Sequence, residues 1–259
     1  MKKSLFFITA VLFISSAFSQ KTDTAKKANS TPTTTAPATV QTTPAKKDWS
    51  KVDLSHRAND HFMIQTGYVG WAALPDTVPV NGISRSFNFY FMYDFPFKTD
   101  PRFSVGAGLG ISCSNAFFKN QPYPLSTTPR QDDGGGTHFK KYKVVTTYLD
   151  IPVELRYALD PENTNKSWKF AAGIKVGDLL SAYSKGKDVL NGTGQDQDPS
   201  VYKDRNNSNF NSIRLATTVR ISKGPIGVYG QYQVTSLMKG SQGLPLVYPF
   251  EFGICLSGL

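Results

Sequence analysis

FSVGAGLGISC, residues 103–113, decides the fold. Phe103, Val105, Ala107, Leu109, Ile111 and Cys113 occupy one parity; Ser104, Gly106, Gly108, Gly110 and Ser112 occupy the other. Unbroken alternation over this length belongs to an extended chain whose successive side chains point to opposite faces. One face is apolar. The other carries only glycine and serine, whereas a strand face turned to water ordinarily mixes Lys and Glu. The segment before it repeats the pattern with larger groups, Phe87, Phe89, Phe91, Tyr93 and Phe95 opposing Asn88, Tyr90, Met92 and Asp94.

Working outward, the same period predicts eight strands, at about 62–74, 87–95, 103–113, 145–157, 168–176, 213–221, 228–235 and 248–256. The first is the least regular. Ile64, Thr66 and Tyr68 oppose Gln65 and Gly67, but Val69 and Trp71 break the phase, which implies a bulge. Each strand is about the ~9–11 residues that a tilted strand needs to cross a bilayer. The links alternate: 98–102, 158–167 and 222–225 are short, while 75–82, 115–141, 178–209 and 239–246 are long. Short turns at one end and long loops at the other are the pattern of an outer-membrane barrel. The expected fold is therefore an all-β, eight-stranded, antiparallel up-and-down transmembrane barrel over 61–259. Aromatics at its rims, Phe95, Tyr157 and Trp168 below and Phe117, Phe118 and Tyr248 above, fit interfacial girdles.

A soluble secreted barrel of lipocalin type also alternates, with its apolar side inward. That arrangement would crowd the five aromatics of 87–95 into an interior just wide enough for side chains to fill. Turned inside out, the apolar face meets lipid. The glycine and serine face then leaves room for large polar side chains from other strands.

The 259 residues carry a formal net charge of +10. Two of the lysines lie in Met1-Lys2-Lys3, ahead of the apolar stretch Leu5–Phe18 and the small-residue site Ala17-Phe18-Ser19. That is the anatomy of a secretory signal peptide over 1–19. Residues 20–60, Thr/Pro/Lys-rich and centred on STPTTTAPATVQTTPA, lack apolar periodicity and read as a disordered periplasmic tether. The remainder is nearly balanced. With no arginine-rich helix and no phosphate-binding glycine loop, nucleic acid is not an expected partner. After residue 18 no apolar run is long enough for a membrane helix.

If the polar parity points inward, the lumen holds Asp94, Asp150, Glu154 and Glu251 with Arg156, Lys169, Lys175, Arg214 and Arg220, beside Tyr90, Tyr148 and Tyr229. Charges in so narrow a cylinder must pair, so a static polar core is expected, with a selective ion path as the alternative. Catalytic constellations are thin. His56 falls in the tether, His61 at the base of the first strand and His138 in the loop before the fourth. A lipid-modifying enzyme would need His138 beside a hydroxyl, in the usual nucleophile–base arrangement. Cys113, on the lipid face, and Cys255, on the inner face at the opposite end, are expected as free thiols. The acidic, glycine-rich runs QDDGGGTH (131–138) and NGTGQDQDPS (191–200) lack regular calcium-ligand spacing and read as surface loops. No catalytic, metal or cofactor residues are assigned, and no enzyme activity is expected.

The run YLDIPVELRY (148–157), the alternating FSVGAGLGIS strand, the signal peptide ending before Gln20 and the aromatic closing strand together resemble the PorT-type outer-membrane β-barrel family of Bacteroidetes. The resemblance spans roughly 62–259. It implies an eight-stranded outer-membrane barrel, of which some relatives take part in type IX secretion and gliding. Asp23-Thr24-Ala25 and Asp76-Thr77-Val78 resemble the short O-glycosylation signal of that phylum. The expectation is a small plugged barrel in the outer membrane, a monomer in contact with outer-membrane lipid. Its long loops, especially 115–141 and 178–209, and its tether would serve as a binding or assembly surface for envelope or secretion-system proteins. A lipid-modifying enzyme, a narrow solute pore and a soluble barrel are the alternatives.

Overall fold

The computed structural model describes residues 61–74, 83–121, 138–190, 196–205, 207–240 and 246–258. The expected signal peptide and tether, both tripeptide glycosylation signals and residues 131–137 and 191–195 of the acidic runs lie outside these. Nine strands follow in chain order: β1 Phe62–Ala72, β2 Arg85–Pro96, β3 Phe103–Gln121, β4 His138–Ala158, β5 Trp168–Leu190, β6 Asp196–Asp204, β7 Ile213–Lys223, β8 Ile226–Gln233 and β9 Tyr248–Ser257. All neighbours are antiparallel, and the pairings β1 with β9 and β4 with β5 close the sheet on itself. β6 pairs with Ser184–Leu190 of β5, whereas β7 pairs with Trp168–Asp178 of the same edge. β6 and β7 are thus one interrupted staff of an eight-stranded barrel. Around the ring formed by β1 to β5 and β7 to β9 closure leaves no free edge, so each staff finds backbone partners in a medium without water, while β6, which pairs only with β5, lies beyond that ring.

The parity of the sequence decides which side meets lipid. Phe87, Phe91, Phe95, Leu109, Ile111, Val153, Leu155, Ile174, Val219, Phe252 and Ile254 all stand exposed on the outer wall. Gln65, Asn88, Asp150 and Lys175 are at 0% exposure within. This inverts a soluble barrel and rules that alternative out. At the end of the short turns, Phe62, Phe95, Phe97, Phe103 and Trp168 ring the wall, and Phe103 and Tyr157 pack with ring centroids 4.8 Å apart. In the turn 98–102, the Arg102 guanidinium donates to the Asp100 carboxylate at 2.9 and 2.6 Å. That bond holds the Asp100 carboxyl below, and the Arg102 guanidinium above, their usual ranges.

Three expectations are corrected. β1 has no bulge: its registers with β2 and β9 run without a shift. Val69 is buried, and Trp71 packs against an inner apolar cluster, because the outer end of the lumen is itself apolar. The irregularity lies instead between β4 and β5, where Thr147 pairs Ser181 but Tyr148 pairs Leu179, leaving Leu180 as the extra residue. Below it Lys169, Ala171 and Lys175 point inward; above it Ala182 and Ser184 do. This change of parity is why regular alternation stops at Val176.

The long links are also shorter than expected. β3 runs on to Gln121, β4 starts at His138, β5 reaches Leu190, and part of the second acidic run forms β6. The barrel wall therefore continues well past the apolar band. Phe118, finally, belongs to no girdle: it is 2% exposed and lies inside, since it shares parity with Ser112 and Ala116.

Candidate functional site

The interior is the first place to look for chemistry. Its side chains come from alternate positions of every staff, and β3 makes the space for them. A Cβ at position 106 would stand 2.5 Å from the Cζ and Nε of Arg156, and one at 110 would collide with the Tyr90 ring. The small face of FSVGAGLGISC is the negative of the large polar groups opposite.

Those groups form a stack along the axis. Near the short-turn end, one oxygen of Glu154 accepts from Arg156 Nε at 3.1 Å and from an Arg220 amino group at 2.9 Å. Arg156 also reaches Asp94 at 3.5 Å, and Arg220 donates to Ser257 Oγ at 3.0 Å. Halfway up, Lys175 Nζ donates to Gln231 Oε1 at 2.8 Å and to Gln65 Oε1 and Tyr90 Oη at 3.1 Å each. It lies 4.5 Å from the Tyr90 ring centroid. Above it, Arg214 grips Asp150 through Nε at 3.0 Å and a second, shorter bond, donates to Ser112 Oγ, and covers the Tyr148 ring at 4.3 Å. Glu251 is held by two neutral donors, Asn88 Nδ2 at 3.1 Å and Ser114 Oγ at 2.7 Å.

All nine charged residues assigned to the lumen by parity thus lie inside it. Eight of them make the contacts given above. Lys169 lines a small recess at the short-turn end with Asp94, Ser104, Arg156, Thr164 and Arg220. Sequence reasoning missed the neutral partners Gln65, Asn88, Ser112, Ser114 and Gln231. Their parity marks them as inward, but nothing in a single strand says which charge they will meet.

It also missed what sits above. Ala116, Phe118, Tyr142, Val144, Tyr148, Ala182, Phe210, Leu237, Met238 and Val247 form a buried apolar cluster at the outer end, with Trp71, Leu74 and Leu179 packed against it. Continuing the parity of β3 and β4 past the expected strand ends would have found Ala116, Phe118, Tyr142 and Val144. Phe210, Leu237 and Met238 come from irregular segments joined by a Phe210–Met238 bridge, for which no periodic signal exists. The lumen is a polar column under an apolar plug.

The other candidate groups are scattered. His61 Nδ1 lies 3.4 Å from the Met92 carbonyl and its ring stacks on Phe91 at the barrel base. His138 opens β4 rather than lying in a loop. Cys113 is half-buried beside Thr147, whose Oγ1 lies 3.8 Å from its sulfur. Cys255 is buried in the lumen beside Gln65, and both thiols are free. Among the described residues no group of three or more His, Cys, Asp or Glu could hold a metal ion.

A family model described as "Outer membrane protein beta-barrel domain" matches residues 62–234. No curated protein matches the chain. Among solved structures, it is similar to Ail, the attachment invasion locus protein of Yersinia pestis, in complex with the heparin analogue sucrose octasulfate. That likeness has 11% identity over 76% of this chain and 97% of that one, with a TM-score of 0.35.

Proposed function

The chain belongs to the outer membrane protein beta-barrel domain family, is an outer-membrane protein, and from that premise we propose that it acts as a binding or assembly component. In this reading it is a closed, monomeric, non-enzymatic barrel working through surfaces outside the bilayer. The observation that carries the reading is the filled lumen. Among the described residues, a bonded column from Glu154 to Glu251 and the plug around Phe210 and Met238 fill the interior, which favours surfaces outside the bilayer over transport or catalysis. The wall of β3, β4, β5 and β6, extended beyond the lipid band, supplies surface instead.

The partners proposed are envelope proteins. The resemblance of YLDIPVELRY to the PorT-type barrels favours a secretion or gliding apparatus among them. Crosslinking in intact cells, comparing the full chain with variants shortened in 122–137, in 191–195 or in 20–60, tests this. A specific crosslinked protein lost with one of these segments supports the reading; identical crosslinks in every variant refute it. Unitary conductance in planar bilayers would favour the pore instead. Altered lipid A in cells carrying His138→Ala would favour the enzyme.

A further inference from the structure

Above the apolar band, the outer wall carries lysines placed directly against one another. Lys143 of β4 pairs Lys185 of β5, and Lys185 pairs Lys203 of β6. One step further out Lys141 pairs Lys187. All five share the outward parity of the strands that bear them; Lys141, Lys187 and Lys203 are exposed, and Lys143 and Lys185 half-buried. Like charges directly opposite on a sheet destabilise it, since their Cβ atoms lie only about 5 Å apart. Here three stand in one row. Among the residues whose side chains the structure describes, no salt bridge joins a carboxylate to any of them.

Two aromatics frame the row. Lys143 Nζ and the Arg85 guanidinium stand 5.9 and 6.0 Å from the Phe117 ring centroid. Lys203 Nζ stands 4.8 Å from that of Tyr183. Aromatic rings interleaved with cations are suited to the interfacial zone, where one end of a group is apolar and the other wet.

The height of the row selects the occupant. Tyr157 sits in the lower girdle, paired with Phe103. From there to Thr147 is ten residues of β4, which at about 3.3 Å each and a tilt near 40° rise about 25 Å, the height of the apolar band in such barrels. Lys143 lies four residues further, about 10 Å above that boundary by the same arithmetic. Long lysine stems bending toward the interface reach the headgroup layer from there.

We propose that Lys143, Lys185 and Lys203, with Lys141, Lys187 and Arg85 around them, form a binding site for the phosphate groups of an outer-leaflet glycolipid headgroup. The proposal rests on the outer-membrane location and not on the assembly role argued above. A polyanion bridging the row removes the repulsion that the bare sheet suffers, and charge-assisted bonds to phosphate oxygens replace it.

The experiment uses the full chain refolded in detergent, with folding checked by the heat-dependent gel shift of the intact barrel. Binding of lipid A bearing two phosphates is compared with that of its dephosphorylated form, for the wild type, K143Q/K185Q/K203Q, K143R/K185R/K203R and a control, Lys166→Gln, at the opposite end. The expected result is an affinity about tenfold or more weaker for the glutamine variant, retention in the arginine variant and the control, and a decline with salt. Without lipid, the glutamine variant melts at the same temperature as the wild type or higher, because repulsion is gone; with lipid A the order reverses. Equal binding by wild type and glutamine variant, or equal binding of the two lipids, overturns the proposal. Tight binding of soluble polyphosphate with none of lipid A overturns the glycolipid as occupant.

Discussion

Replacing Glu154 with alanine tests whether the interior is held by its ion pairs. In the wild type one carboxylate oxygen serves Arg156 at 3.1 Å and Arg220 at 2.9 Å, and all three groups are buried. Alanine leaves two guanidinium groups without it. Removing one partner of a buried pair costs about 3–5 kcal/mol, because the remaining charge stays desolvated. Arg156 keeps Asp94 at 3.5 Å, and both guanidinium groups border the recess at the barrel mouth, where water can reach them. Arg220 keeps Ser257, a neutral partner. The expected loss is therefore at the lower end, about 3 kcal/mol. The assay is urea unfolding from lipid vesicles, followed by the fluorescence of Trp71 and Trp168. Glu154→Ala combined with Arg220→Met should recover part of the loss, since the buried guanidinium is removed together with the carboxylate that balanced it. An unchanged midpoint for Glu154→Ala refutes the reasoning. So does a double variant weaker than the single one by the full cost of a second lesion.

The outer wall and the turns give further expectations. Val153→Arg puts a charge on the exposed apolar band and should cost about 2–4 kcal/mol in the same unfolding assay, least if the band is shallower than its residues imply. Gly106→Ala should destabilise measurably, because its methyl displaces the Arg156 guanidinium, whereas Gly230→Ala, whose added Cβ meets Val219 at an ordinary 3.5 Å, should not. Asp100, with its carboxyl held below the usual range by Arg102, contributes stability that is present above the unfolded-state pKa and lost as pH falls through the folded one. Asp100→Asn should flatten a small acid limb of the stability profile, small because the pair faces water. Wild-type protein should show no unitary conductance in planar bilayers, and regular single-channel steps would contradict the plug.

Much of this architecture was legible because a transmembrane barrel writes its orientation twice. Phe87 to Phe95 must face lipid if Asn88 to Asp94 face inward, and strict parity then placed Glu154, Lys175, Arg214 and Arg220 in the lumen before any contact was known. What parity could not reveal was which charges meet. Glu154 and Arg220 are brought together only by the register of β4, β5 and β7. Parity also fails wherever one residue is inserted. Leu180 shifted the phase of β5, so thirteen residues of strand looked like the start of a loop. The apolar plug was hidden for another reason. Above the lipid the outer wall meets water and the inner wall packs, so Phe118 and Tyr142 turn inward while Lys143 and Lys185 turn out. The alternation keeps its period there but reverses its polarity, and a reading that treats apolar as lipid-facing misplaces such residues.

That reversal also bears on what the lumen is for. Lipid is as apolar as the outer side chains, so packing against it does little to choose one strand register over another. A slip by one residue would carry every side chain to the opposite face. Here it would put Asp150, Glu154, Lys175 and Arg214 into hydrocarbon, at about 2–4 kcal/mol for each basic residue near the midplane. It would also force Phe89, Phe91 and Phe95 into space that Gly106 and Gly110 leave for Arg156 and Tyr90. The buried charges therefore penalise the wrong registers more than they stabilise the right one against an apolar filling. The proposed role as a binding component accordingly looks to the extended outer wall and the two mouths rather than to the lumen.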